Sequence, residues 1–163
     1  AGRASDPDFA EAELLADKLT ARHEGIKVIK DMRHPCEWGA FRQMITQQRG
    51  FNSPGVSTII WRRDGRLVGG TREFAALIKN AYLIELGADK AMIESVSREN
   101  LEFVEEAAKE NAWTPMMGEY KKIWDDNTVF EGSWKDYRPH RGTVTFGSDG
   151  STYEGALRDG KFQ

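Results

Sequence analysis

One thiol and three imidazoles are the groups in this 163-residue sequence most suited to covalent or metal chemistry. Cys36 stands in "HPCEWGAFRQ", where Pro35 marks the start of a predicted helix. A thiol at a helix N-terminus beside a histidine, here His34, is the setting that lowers its pKa and makes a nucleophile. The plainer reading, which we favour, is a lone cysteine used as a small, partly buried apolar residue. A single cysteine excludes an internal disulfide and a four-cysteine zinc site. His23, His34 and His140 share no metal-ligand spacing. The formal net charge of -3 offers no global basic field for nucleic acid. Two local basic clusters remain. One is Arg62 and Arg63 in "WRRDGR"; the other is Lys135, Arg138, His140 and Arg141 around Tyr137.

The elements that must position these groups follow from hydrophobic period and turn signals. "DPDFAEAELLADKLTARHEG" puts Phe9, Ala12, Leu15 and Leu19 near one helical face. "IKVIKD" alternates, which predicts a strand over 27–30. The next helix opens at Pro35, closes at Gly50 and carries Trp38, Phe41, Met44 and Ile45. "STIIW" and "RLV" flank Asp64-Gly65 and predict a β-hairpin, with strands over 57–61 and 66–68. "TREFAALIKNAYLIELG" reads as a helix stopped by Gly87, reached through Gly69 and Gly70, which should let the chain turn sharply into it; Gly70→Val should be costly if Gly70 has positive φ. The order is α-β-α-β-β-α. No apolar run approaches the roughly 20 residues of a membrane-spanning helix. No signal peptide is visible, and the start without methionine fits a processed or trimmed chain.

"TIIWRRDGRLVGGTREFAAL" resembles the end of a glutaredoxin, and "ELLADKLTARHEGIKVIKDM" is similar to its first helix and second strand. The resemblance covers roughly residues 5–85 and implies a thioredoxin-like core lacking its first strand. It also implies where a thiol site would lie. The family's two active cysteines fall at Ser5 and Asp8. Its cis-proline segment falls at Val56-Ser57-Thr58, with Pro54 displaced. The acid that holds the amine of glutathione falls at Arg72 or Glu73. The chain departs from the family at all three places.

"ADKAMIESVSRENLEFVEEAAKENAWTPMMGEYKKIW" reads as a charged helical linker, with Ser97 as N-cap and Leu101, Val104 and Ala108 as its apolar stripe. Beyond it the sequence is aromatic and Gly-rich. "FEGSW" at Phe130–Trp134 returns as "YEGAL" at Tyr153–Leu157, about 23 residues later. The pattern of Glu131-Gly132, Trp134, Gly142, Asp149-Gly150, Tyr153-Glu154-Gly155 and Gly160 resembles MORN repeats, with "DYRPHRG" as a departure. Trp134, Phe146 and Tyr153 are expected to pack on an apolar surface.

The fold class expected is α+β: a glutaredoxin-like domain over 5–87, a helical linker over 88–124 and MORN-like antiparallel hairpins over 128–163. The function expected is that of a non-catalytic scaffold or accessory subunit that contacts other protein subunits, in a large respiratory or photosynthetic complex of a mitochondrion or plastid. No cofactor or metal is expected. The candidate interaction residues are Trp134, Tyr137, Arg138, Arg141, Tyr153, Arg62 and Arg63. The alternatives are a redox or glutathione-binding protein using Cys36, and a lipid-associating protein whose basic cluster gives peripheral membrane attachment.

Overall fold

Phe9, Ala12, Leu15, Ala16 and Leu19 recur at helical spacing, and all are buried along α1 (Pro7–Arg22). The computed structural model describes residues 1–52, 56–109, 114–158 and 161–162. They form two compact units, the first of residues 1–35 and 42–104, the second of residues 36–41 and 105–163. Expected features at Pro54, Gly160 and the 110–113 stretch of the linker lie outside the described residues.

In the first unit, β1 (Gly2–Arg3) runs parallel to β2 (Met32–Arg33). On its other side β1 meets the chain entering β3 (Ile60–Trp61). Gly2 bridges Thr58 antiparallel, Arg3 N–H donates to Ser57 O at 3.2 Å and Ile59 N–H to Ala1 O at 2.9 Å. β3 pairs antiparallel with β4 (Leu67–Gly69). Two two-stranded ribbons, β2-β1 and β3-β4, are thus linked by the Gly2–Thr58 bridge, in the order β2-β1-β3-β4. Three expectations are corrected. A strand, β1, precedes the first helix, where none was expected, built from two residues too short to show any period. The second lies at 32–33 rather than 27–30, where Val28 and Ile29 are exposed. The third is shorter than 57–61, regular only from Ile60.

α2 (Pro35–Arg49) begins and ends where Pro35 and Gly50 predict, with Gly50 at φ +66. α3 (Thr71–Tyr82) stops before Gly87, because Leu83 takes a left-handed conformation and sends Ile84 into the core. The apolar core of this unit joins Ala12, Leu15, Ala16 and Leu19 of α1 to Phe74, Ile78 and Ile84, with Ile60 and Val68 packed against it. Gly69, not Gly70, carries the positive φ, +127, while Gly70 sits at φ -92. Gly70 is the N-cap of α3, and its N–H donates to Glu73 Oε2 at 2.8 Å. That is the reciprocal half of a capping box, since glycine has no side chain for the other half. The bonds from the Glu73 and Gly70 backbone N–H groups hold the Glu73 carboxyl below its usual pKa. α4 (Lys90–Lys109) starts earlier than Ser97: Asp89 Oδ1 accepts Met92 N–H at 2.8 Å, and Ser97 is buried mid-helix.

The second unit is dominated by an antiparallel meander of β5 (Met117–Ile123), β6 (Val129–Lys135), β7 (Arg138–Thr145), β8 (Thr152–Arg158) and β9 (Lys161–Phe162). β5 corrects the helical reading of "EYKKIW". Tyr120 faces Gly132 and Lys122 faces Phe130, so alternate residues of this segment line the inner face of a sheet. The 23-residue echo survives in register, about one hairpin per repeat. Lys135↔Arg138 and Trp134↔Pro139 are reproduced as Arg158↔Lys161 and Leu157↔Phe162. Phe130, Trp134, Val144 and Leu157 form the core, with Tyr120, Trp124 and Phe146 beside it. A Cβ on Gly132 would lie 2.3 Å from Arg141 O, so β6 and β7 approach closely where both carry glycine.

Candidate functional site

The N-terminus of α1, the chain entering β3 and the start of α3 converge in the first unit. They bring together the positions that the glutaredoxin resemblance marks. Asp6 is the N-cap: its Oδ1 accepts Asp8 N–H at 3.0 Å, its Oδ2 accepts Arg3 Nη2 at 2.7 Å, and Pro7 fixes the first helical residue. Thr71 Oγ1 donates to Asp8 O at 2.7 Å, and Ser57 Oγ to Asp8 Oδ2 at 3.4 Å. Thr58 is buried. The helix end that would stabilise a thiolate is therefore satisfied by a carboxylate of its own chain. Glu73, at one of the two positions compared with the family's amine-holding acid, is bonded to the N-terminus of its own helix. Arg72 is exposed.

Cys36 belongs to the second unit, in the first turn of α2. Burial, and after it the Glu37 carboxylate, push the thiol up to about 12. Its neighbour Glu37 is buried and accepts the Met116 N–H. That shift opposes the thiolate that a helix N-terminus would otherwise favour. Among the described residues no group of three or more His, Cys, Asp or Glu side chains could hold a metal ion. No helix among them is long and apolar enough to cross a membrane.

The candidate interaction residues separate into two kinds. Trp134 is 3% exposed, packs edge-on against Phe130 at 5.5 Å, and donates its indole N–H to Tyr120 O at 3.0 Å. Tyr153 lies half-buried on the same inner face and donates its hydroxyl to Ala156 O at 3.3 Å. Trp134 is structural, a correction: an aromatic at the repeat position fills the sheet's own core. Tyr137, Arg138 and Arg141 are exposed at or beside the β6–β7 turn, where Asp136 and Tyr137 both have positive φ, 51° and 63°. Met116 and Met117 are half-buried. Arg62 and Arg63 are exposed in the β3–β4 turn. Sequence reasoning missed what surrounds that turn. Arg49, from the last turn of α2, lies over the Trp61 ring, 5.2 Å from its centroid, and the Phe51 ring stands 6.3 Å away. No spacing in the sequence announces this cluster, because only the packing of the β3–β4 hairpin beside α2 creates it.

Comparison with known proteins supplies the family. Residues 1–115 match the family described as "Putative malate dehydrogenase 1B N-terminal domain". The chain belongs to this family. A relative from Branchiostoma floridae, named "Putative malate dehydrogenase 1B", is 32% identical over 116 residues, which covers 68% of this chain and 22% of the relative. A protein of the same name from Bos taurus is 32% identical over 107 residues, 62% of this chain and 22% of its own length. The chain thus spans about a fifth of the relatives it matches. The segment shared with the malate dehydrogenase 1B N-terminal family holds β1 to β4 and all four helices; strands β5 to β9 lie beyond residue 115.

Proposed function

We propose that this chain is a non-catalytic, thioredoxin-like interaction module: it keeps the frame of a thiol-redox fold and uses its surfaces to bind protein. The observation that carries the reading is the occupied N-terminus of α1. Asp6 caps it, Ser5 and Asp8 stand where the glutaredoxin cysteines would be, and the one cysteine of the chain is a thiol of raised pKa in the other unit. The β2-β1-β3-β4 order, with β1 parallel to β2 and antiparallel to β3, supports the thioredoxin-like frame. The repeated register of β6–β7 and β8–β9 supports the MORN-like reading of the second unit. Malate oxidation belongs to the names of the relatives. The sequence here has no G-x-G-x-x-G spacing of the kind that cradles a dinucleotide.

The test is reduction of a glutathione mixed disulfide by the wild type and by Cys36→Ser. A glutaredoxin reaction needs a thiolate that attacks one sulfur of the disulfide and expels the other as a thiolate. Equal, background-level rates in both proteins are expected. Turnover in the wild type that disappears in Cys36→Ser overturns the reading and makes Cys36 the nucleophile.

A further inference from the structure

Between positions 49 and 66 the sequence holds four arginines, Arg49, Arg62, Arg63 and Arg66, and one acid, Asp64. The fold brings Arg49 onto the indole of Trp61, which is next in sequence to Arg62 and Arg63. Arg49 covers the half-buried Trp61 ring, and Phe51 flanks it. Trp61 leads directly into Arg62 and Arg63. Arg62 N–H donates to Arg66 O and Gly65 N–H to Arg62 O, both at 2.9 Å, closing a tight turn with Gly65 at φ +90. All four arginines are exposed. Asp64 is engaged inside the turn, its Oδ1 accepting Arg66 N–H at 3.0 Å and its Oδ2 3.9 Å from Arg66 Nε. The patch therefore presents guanidinium groups beside two half-buried aromatic rings, one of them covered by Arg49, with its single carboxylate turned to its own loop.

The geometry points to this patch as the docking surface for an extended acidic protein segment. Carboxylates of the segment bind Arg62 and Arg63, and an apolar side chain lies against Trp61 and Phe51. The inference rests on the interaction-module reading and names the chemistry of the partner. Guanidinium forks match carboxylates in a bidentate geometry that a lysine point charge does not reproduce. Trp61 with Arg49 supplies a preorganised aromatic anchor of the kind that dominates interface energetics. The number of cations favours a protein segment over a nucleic acid. Strongly salt-dependent DNA binders make about 6–10 phosphate contacts, whereas four guanidiniums match the few carboxylates of a short acidic segment.

The experiment is fluorescence anisotropy with the full chain and three labelled probes: a short peptide of alternating glutamate and leucine, its lysine-leucine counterpart, and an oligothymidylate. The acidic peptide is expected to bind saturably and more tightly than either of the others, with affinity falling as salt rises. Arg62→Glu/Arg63→Glu should weaken it at least about tenfold, with an unchanged circular dichroism spectrum because both side chains are exposed. Lys135→Glu/Arg141→Glu, in the other unit, should leave it unchanged. Equal affinity of the Arg62→Glu/Arg63→Glu variant overturns the proposal, as does tighter binding of the oligothymidylate. The mixed-disulfide assay on the same sample separates the two readings. Background turnover without peptide binding removes this patch alone, and thiol turnover with peptide binding removes the non-catalytic reading alone.

Discussion

Cys36 shows how one neighbourhood reverses the chemistry of a residue type. A helix N-terminus favours the thiolate, but burial and Glu37 oppose it more strongly and raise the pKa from 9.0 to about 12. Between those values the unfolded chain has lost a proton that the folded chain still holds. Stability therefore falls as pH rises through that window. Urea midpoints should drop more steeply for the wild type than for Cys36→Ser on going from about pH 8 to about pH 10. Alkylation of the folded protein should be slow at neutral pH and accelerate only well into the alkaline range. Rapid neutral alkylation in the folded state would show an ionised thiol instead. Gly69 makes the corresponding point for the backbone. With φ +127 and the Glu73 side chain 2.8 Å from a would-be Cβ, Gly69→Val is expected to cost about 1–3 kcal/mol. Gly70→Val, at an extended φ, should cost less. Denaturant titration of the two variants checks the order.

Among the elements, the meander depends on glycine where β6 and β7 cross most closely. Gly132 and Gly142 face each other across β6 and β7, and a Cβ on Gly132 would meet Gly142 Cα at 2.5 Å as well as Arg141 O. Gly132→Val is expected to force the strands apart and destabilise the unit by about 1–3 kcal/mol, read as a lower urea midpoint and loss of the near-ultraviolet signal of Trp134. Ser133→Val, one residue along and on the other face, should be milder, its loss limited to the Ser133 Oγ bond to Arg141 O. A Gly132→Val variant as stable as the wild type would mean the strands are not held as described.

At the scale of the whole molecule, family membership rests on the first 115 residues. The family match runs from 1 to 115, and the relatives that carry a dehydrogenase name are matched over 22% of their length. These 163 residues should reduce no nicotinamide cofactor above background when supplied with malate. Spectrophotometric detection of NADH formation checks this, and turnover proportional to protein would assign the dehydrogenase chemistry to these residues. The same chain should bind its partners through the first unit's arginine-aromatic patch, whose salt dependence identifies an electrostatic contact.

Wherever a single element satisfies itself, the residues alone determined the outcome. The stripe of α1, Pro35 and Gly50 around α2, the hairpin at Asp64-Gly65 and the repeat of "FEGSW" as "YEGAL" all follow from local period and turn chemistry. The absence of paired cysteines was equally plain. Tertiary structure decided everything that needed a partner distant in sequence. Gly2–Arg3 becomes a strand only because residues 32–33 and 57–59 lie on either side of it. "EYKKIW" has helical residues but becomes β5, since pairing with β6 satisfies its backbone and turns Tyr120 and Lys122 inward. Trp134 departs from the role that its place in the sequence suggests: the aromatic of the repeat is sealed in the sheet core, while Arg49, at a helix end, lies over the Trp61 ring. Burial and long-range contact assign those roles, and neither is written in the spacing of residues along the chain.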